Sequence, residues 1–413
     1  MKKAWFIGVS MVIPLALSAC GGSGTDGGSG STGGAAGETI KIASLHPLSG
    51  ASAADGQQMD NGAKLAVEAI NAAGGIKSLG GAKLELVSAD SQGKPEVGQS
   101  EAQRLIQDGA VGIVGTYQSA VSANVATVAE RNKVPFIIDI SVADSILNQG
   151  YKYTFRVQPS ATVIGEEGAQ YLFDMSTAAG QPVKKAAFLH EQGPFGSGVR
   201  DAFTRRATEL GFEVGPAISY DAASVADLTT AVTQVKGSGA DVIAVAGYYR
   251  DGVLVAKAVD AVKPPINAVY GVANGAFDLP QFPKEVAAAA EGYFDANYHP
   301  DFTKDATKAF ADLYKQRYND DIRTGAVLSY DSVRVLADAI ERAKSTEPAK
   351  IRDAVAQTNL ESLMAQSGPI AFDEKGENKG AIPILMQVQD GVINQVWPKE
   401  LAQAEPTYPA MGG

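Results

Sequence analysis

The sequence predicts an α/β protein in which open parallel sheets are covered by helices on both faces. Two observations carry this. From Thr39 onward, short β-branched runs alternate with helix-like patterns, and that βαβα order suits parallel strands joined by crossover helices. The order then repeats. "DGAVGIVGTYQSAV" (108–121) and "SGADVIAVAGYYRDGV" (238–253) both run small turn, buried strand, glycine, aromatic, helix. The shared phrase points to two similar lobes, and 413 residues, 45% of them hydrophobic, can fill two cores.

In chain order, "TIKIASL" (39–45) is the first strand. A helix over 57–73 puts Ala66, Ala69, Ile70 and Ala73 on one face and stops at Gly74 and Gly75. "LELVSAD" is the next strand, followed by a helix around Val97, Glu101, Leu105 and Ile106. "AVGIVG", a helix over 119–131 and "PFIID" continue the alternation. After 153–159 the pattern restarts, with strands at 186–191, 214–220, 241–247 and 267–271 and helices between them. The tail breaks the rhythm: 303–318, 324–344 and 349–358 all read as helices. "PIAFDEKGENKGAIPILMQVQDGVINQVWP" then reads as strand, polar turn, long strand, tight turn and strand.

The N-terminus has another character. Lys2 and Lys3 precede "AWFIGVSMVIPLALSA", a charged segment and an apolar one too short to span a bilayer, as in a signal peptide over 1–19. Cys20 is the one cysteine, so no intramolecular disulfide forms. The run Leu17-Ser18-Ala19-Cys20 resembles the lipobox of bacterial lipoproteins, which implies a lipidated Cys20 and a membrane anchor. The Gly/Ser-rich 21–38 is a flexible tether of roughly 20–25 Å. The net charge of −11 and the lack of a basic cluster argue against a nucleic-acid partner.

Ligands of open α/β sheets bind beyond the carboxyl ends of the strands. "GTYQSAVS" (115–122) sits there, at the start of a helix whose first N–H groups lack partners and favour an anion. Ser119 adds a hydroxyl, Gln118 flanks it, and Tyr117 can wall the site. Serine is equally a preferred helix N-cap, so the position also serves that purpose. "IDISVAD" (138–144) repeats the arrangement with Ser141 and Val142. In the second half, Phe195 and Tyr248 follow strands and suit the apolar body of a ligand. Signals for catalysis are poor. His46, His190 and His299 are scattered, no metal-ligand spacing appears, and the glycine runs match no phosphate-binding loop. His190 and Glu191 together are the one acid/base pair to consider, and a satisfied histidine near the cleft explains them as well. No cofactor and no metal are expected.

Stretches across the chain resemble the type I periplasmic binding proteins, in the branch of branched-chain amino-acid receptors of ABC transporters. They include "HPLSGASAADGQQMDNGAKLAVEAINAAGGI", "VGTYQSAVSANVATVAERNKVPFI", "YKYTFRVQPS", "HEQGPFGSGVRDAF", "AGYYRDG" and "GPIAFDEKGENKG". The resemblance implies two Rossmann-like lobes joined by three crossovers, with the ligand in the cleft between them. The crossovers fall near 156–159, 295–298 and 365–372. Lobe one is then 39–157 plus 297–368, lobe two is 158–296 plus 369–402, and 403–413 is a C-terminal tail. In the family, a serine matching Ser119 holds the ligand carboxylate and a threonine in the next loop assists. Here Ser141 stands one residue away from that threonine's place. The family's aromatic matching Phe195 is often tyrosine, and the one matching Tyr248 is retained.

Two departures bear on the ligand. The family's ammonium-binding acid follows the strand at 267–271, where this chain reads "GVANGAFD" with Val272 and Asn274 in the region. Asp55 stands where the family often has an aromatic. Either Asp55 replaces the missing acid, or the ligand lacks an ammonium, as an amide or small organic acid would. The resemblance implies a monomeric, membrane-anchored extracytoplasmic receptor that closes on a small carboxylate-bearing ligand and delivers it to an ABC permease. A sensor for a signalling partner and a secreted enzyme are the rival classes.

Overall fold

The computed structural model describes residues 39–411. The signal-like segment, Cys20 and the Gly/Ser tether lie outside them. The first sheet holds β1 (Ile40–His46), β2 (Leu84–Asp90), β3 (Ile113–Gly115), β4 (Phe136–Ile138) and β5 (Thr154–Arg156). Their order is β2-β1-β3-β4-β5, all parallel. Helices α1 (Ala53–Ala72), α2 (Pro95–Gln107), α3 (Ser119–Asn132) and the short α4 (Asp144–Leu147) connect them.

After β5 the chain builds a second body. This comprises α5 (Ala161–Ala178), β6 (Lys185–Glu191), α6 (Pro194–Leu210), β7 (Glu213–Tyr220) and α7 (Thr229–Lys236). It continues through β8 (Val242–Ala246), α8 (Tyr249–Val262), β9 (Ala268–Val272), α9 (Gln281–Val286) and β10 (Phe294–Asn297). The chain then returns to the first body as α10 (Asp305–Tyr318), α11 (Thr324–Ala343) and α12 (Pro348–Val355). It ends on the second sheet with β11 (Ile384–Gln389) and β12 (Val392–Trp397). That sheet runs β12-β11-β10-β9-β8-β6-β7, with β11 antiparallel to both of its neighbours.

Each sheet is covered on both faces. One core joins α1, α10, α11 and α12 to the first sheet, and another packs α2 and α3 on its opposite face. Two more cores flank the second sheet. Strands β8 and β9 are buried at every position, which is why they read as unbroken apolar runs.

Several expectations change. The segment expected as a strand at its start, "PIAFD", forms only isolated bridges at Ile370 and Phe372, and both side chains pack into the first core. The residues after 402 also pack, with Tyr408 buried in the core of the second body. Strands β5 and β10 are additions. Both are short and carry buried charges, Arg156 and Asp295, which broke the apolar signal. Helix α1 starts at Ala53 rather than at Gln57, so Asp55 lies in its first turn.

Two glycines permit close approaches near the strand ends. A Cβ on Gly62 would lie 2.0 Å from the Ala326 carbonyl oxygen, so glycine lets α1 approach α11 closely. Gly115 has φ +144°, and a Cβ there would lie 2.3 Å from the Leu45 oxygen. It turns the end of β3 toward α3.

Candidate functional site

A cavity of about 60 Å³ opens where the carboxyl ends of both sheets face each other. One water needs roughly 10–15 Å³, so the space suits a small ligand. From the first body it is lined by Asp55 and Met59 on α1, and by Tyr117 and Ser119 at the start of α3. Ile140, Ser141 and Val142 follow β4, and Arg323, Thr324 and Gly325 open α11. The second body adds Phe195, Gly247, Tyr248, Ala273, Gly275, Asp278, Leu279, Asn297 and Tyr298.

The Ser119 end is made by turns. Gln118 is the N-cap residue of α3 and makes no side-chain cap, and Ser119 is the first helical residue. The Ser119 hydroxyl accepts from the Ala143 N–H at 3.3 Å, which leaves its own proton free to donate. Serine here is therefore not a cap. The Ser141 hydroxyl is different. It donates to the Thr116 and Tyr117 carbonyls at 2.7 and 3.1 Å and lies 2.5 Å from the Ser122 hydroxyl. Its proton is committed to the fold, so Ser141 lines the cavity without a free donor. The fully buried Arg156 fixes this loop: Nη1 donates to the Ser141 and Ala143 carbonyls, while Nε donates to Glu377 at 2.9 Å. Gln158 Nε2 donates to the same Ser141 carbonyl at 2.8 Å.

The opposite end is made by helix packing. Arg323 Nη1 donates to Asp55 Oδ1 at 2.5 Å, and both side chains are nearly buried. Gln58 sets the pair. It accepts from the Arg323 N–H at 2.8 Å and donates to Asp320 Oδ2, tying α1 to the start of α11. Burial pushes Asp55 up, and the Arg323 charge and hydrogen bond pull it back only in part. Burial opposes the charge on Arg323 too, but Asp55 outweighs it and Arg323 is raised, so it stays a cation. The Tyr249 ring of the second body lies 4.3 Å from the guanidinium carbon, a cation–π contact across the cleft.

The aromatic roof joins the two bodies. Tyr248 stacks at 5.2 Å on Tyr117 and at 5.4 Å on Phe195. The Tyr248 N–H donates to Asp251 Oδ2 at 2.9 Å, which fixes the first turn of α8. Burial pushes the Tyr117, Tyr248 and Tyr298 phenols up, so they remain donors.

Sequence reasoning missed an acid. Asp278, within the quoted "GVANGAFD", lines the cavity, and His299 Nδ1 sits 3.1 Å from its Oδ2. Behind it, Asp295 accepts from the Asn274 N–H at 3.1 Å. Burial first, then the Asp278 charge, pushes Asp295 well above the usual carboxylate range. Asn274, expected at the ligand, does not line the cavity. Its side-chain oxygen accepts from the Ala276 N–H at 3.0 Å, so it shapes the loop that carries Asp278. Gln118 also lies outside, donating to Ser52 at 3.1 Å in the groove at the cavity mouth. Asp55 lines the cavity, paired with Arg323.

Neither His46 nor His190 reaches the cavity. His46 lies between Ser44, at 2.9 Å from Nδ1, and Asp139, at 2.7 Å from Nε2, an order that imitates a catalytic relay. All three are fully buried, and Ser44 donates to Asp60 at 2.7 Å, so this network braces the core. His190 Nδ1 bonds the Glu191 carbonyl at 2.7 Å. Among the described residues, no group of three or more His, Cys, Asp or Glu side chains is placed to hold a metal ion.

Comparisons with known proteins fit this architecture. The sequence pattern of a family described as periplasmic binding protein matches residues 39–391. Leu/Ile/Val-binding protein homolog 7 of Brucella suis biovar 1 is 29% identical over 390 residues, covering 90% of this chain and 94% of the relative. The leucine-binding protein LivK of Thermotoga maritima superposes with a TM-score of 0.76 at 25% identity, covering 87% of this chain and 98% of that one. LivJ of Streptococcus pneumoniae, a branched-chain amino acid transporter substrate-binding protein solved with isoleucine, gives 0.74 at 25% identity, with coverages of 90% and 100%. The curated relatives are named binding proteins, not enzymes. The chain belongs to the periplasmic binding protein family, with the type I fold of two α/β lobes.

Proposed function

We propose that this periplasmic binding protein captures a small α-amino acid, branched-chain or related, and presents it to an ABC permease. The observation that carries the reading is the cavity itself. It offers a free donor at Ser119 beside a helix N-terminus, a carboxylate at Asp278, and apolar walls between. Ser119 and the first N–H groups of α3 hold the ligand carboxylate. Asp278 receives the ammonium, in place of Asn274. Phe195 and Tyr248 cover the apolar part. The names of the relatives support the amino-acid class.

Both bodies contribute to the lining, so a bound ligand favours the closed arrangement. Lys284 of the second body also pairs with Asp321 of the first at 2.5 Å, outside the cavity. We take the lobes to be 39–157 with the returning helices, and 158–296 with the closing hairpin. The lobe-one portion runs on past 368, because Ile370 and Phe372 share its core. The run ending at Cys20 supports a lipid anchor outside the cytoplasm, and the family supports a monomer.

A thermal-shift panel of amino acids and small organic acids on the purified protein tests the function. A ligand at a thousandfold its Kd adds about 4 kcal/mol to stability. At least one α-amino acid is expected to raise the melting temperature. No response to any of them, with a response to acids that lack an ammonium, contradicts the reading. For the anchor, Cys20→Ser should move the protein from the membrane fraction to the soluble one.

A further inference from the structure

We infer that His299 is a positioning residue for ligand recognition, and that it aims the Asp278 carboxylate at the ligand's ammonium. The inference rests on the reading of the cavity as an amino-acid site. Asp278 lines both the ligand cavity and an outer groove, and His299 lines the groove behind it. Both side chains are buried, and His299 Nδ1 sits 3.1 Å from Asp278 Oδ2. A carboxylate only accepts, so Nδ1 carries the proton and donates it to that oxygen. Among the described residues no hydrogen bond occupies the other oxygen, Oδ1, and it is not one of the sealed, unpartnered atoms. One oxygen is fixed from behind, and the other remains for an ammonium.

The loop that carries Asp278 is set by its own body. The Asn274 N–H donates to Asp295 Oδ1 at 3.1 Å, and Asn297 Nδ2 donates to the Asn274 carbonyl at 3.1 Å. The Leu279 N–H closes a turn onto the Ala276 carbonyl at 2.9 Å. None of these bonds reaches the Asp278 side chain. His299 comes from elsewhere. It lies between β10 and α10, where the chain passes from the second body back to the first. Its carbonyl accepts from the Ala365 N–H at 2.9 Å, and the Asp301 N–H donates to the Leu363 carbonyl at 2.9 Å. Residues 363–365 belong to the later connection, from α12 to β11, so the imidazole stands on two connections braced against each other. A carboxylate held by one oxygen has lost its rotamer freedom before the ligand arrives, so binding does not have to order it. Without His299, Asp278 is free to turn into the outer groove that it also lines, away from the ammonium.

The test is a calorimetric double-mutant cycle on the full chain. The probe is the L-amino acid that raises the wild-type melting temperature most in a panel of all the protein-building ones. His299→Leu should weaken its binding about 10-fold, the scale of a hydrogen bond to a charged group. In an Asp278→Asn background the same change should alter binding by less than about twofold, because His299 acts through the carboxylate. His299→Asn puts a side-chain N–H near the place of Nδ1, and should bind within about threefold of the wild type. A loss in the Asp278→Asn background as large as that in the wild type overturns the inference, as does unchanged binding by His299→Leu. If His299→Leu does not fold, His299→Asn decides, and a loss of about 10-fold or more there overturns it. In those outcomes the amino-acid receptor reading still stands. Wild-type binding of no amino acid in the panel defeats that reading instead.

Discussion

The two ends of the cavity do the same job by different means. At the Ser119 end, polar groups come from strand-to-helix turns, and every partner lies within a few elements of the first sheet. Thr116, Ser122 and Ser141 share their hydroxyl hydrogen bonds, the Ala143 N–H donates to Ser119, and the Ser119 proton stays free to donate. At the Asp55 end, two charges 268 positions apart in sequence meet because α1 packs on α11. There, Arg323 Nε and the Thr324 hydroxyl lack a partner and are sealed from solvent. The first end is built from turns and presents one free hydroxyl donor at Ser119. The second is a buried charged pair held by helix packing.

Breaking the pair on one side should give the largest effect. Arg323→Met leaves Asp55 buried and uncompensated, and should cost about 3–5 kcal/mol of stability, read by chemical denaturation. The double variant Asp55→Leu/Arg323→Met should recover most of that loss. Equal destabilisation by both would show that the two charges do not compensate each other.

The roof that both ends share carries a pH signature. Burial pushes Asp251 up to about 7, with the Tyr248 N–H pulling it down and the Glu191 charge adding to the rise. An unfolded aspartate titrates near 3.9. Between those values the folded protein binds the extra proton, so stability falls as pH rises from about 4 to about 7 and levels off above. Asp251→Asn keeps an acceptor for the Tyr248 N–H, and should flatten the melting temperature across that window. An unchanged slope would remove Asp251 as its source.

Within the binding surface, Asp278→Asn should weaken amino-acid binding by about 2 kcal/mol, the scale of a hydrogen bond to a charged group. It should leave a des-amino analogue of the ligand unaffected. Ser119→Ala should cost about 1 kcal/mol, the smallest effect, and should apply to every carboxylate ligand alike. Calorimetry reads both.

The legibility of the site follows the same division. "GTYQSAVS" announced its turn, its helix and Ser119 because strand, glycine and helix start are neighbours in sequence. The aromatic residues past β8 and at the start of α6 were visible for the same reason. Arg323 was not, although the helix it precedes was expected at 324: nothing local says that Gln58 and Asp55 wait beside it. Asp278 lay in view within the loop after β9, but loop residues carry no periodicity to say which side chain faces the cavity. Asn274 was named instead, and the backbone turn at Ala276 gives the place to Asp278. Strands β5 and β10 escaped because Arg156 and Asp295 interrupt runs of three and four residues.

A crystal structure of the protein soaked with the amino acid that binds most tightly tests these assignments most directly. The ligand carboxylate is expected within hydrogen-bond distance of Ser119 Oγ, its ammonium on Asp278, and its side chain against Phe195 and Tyr248. A carboxylate seated on Arg323 instead, with Ser119 empty, would reverse the ligand in the cavity and contradict them.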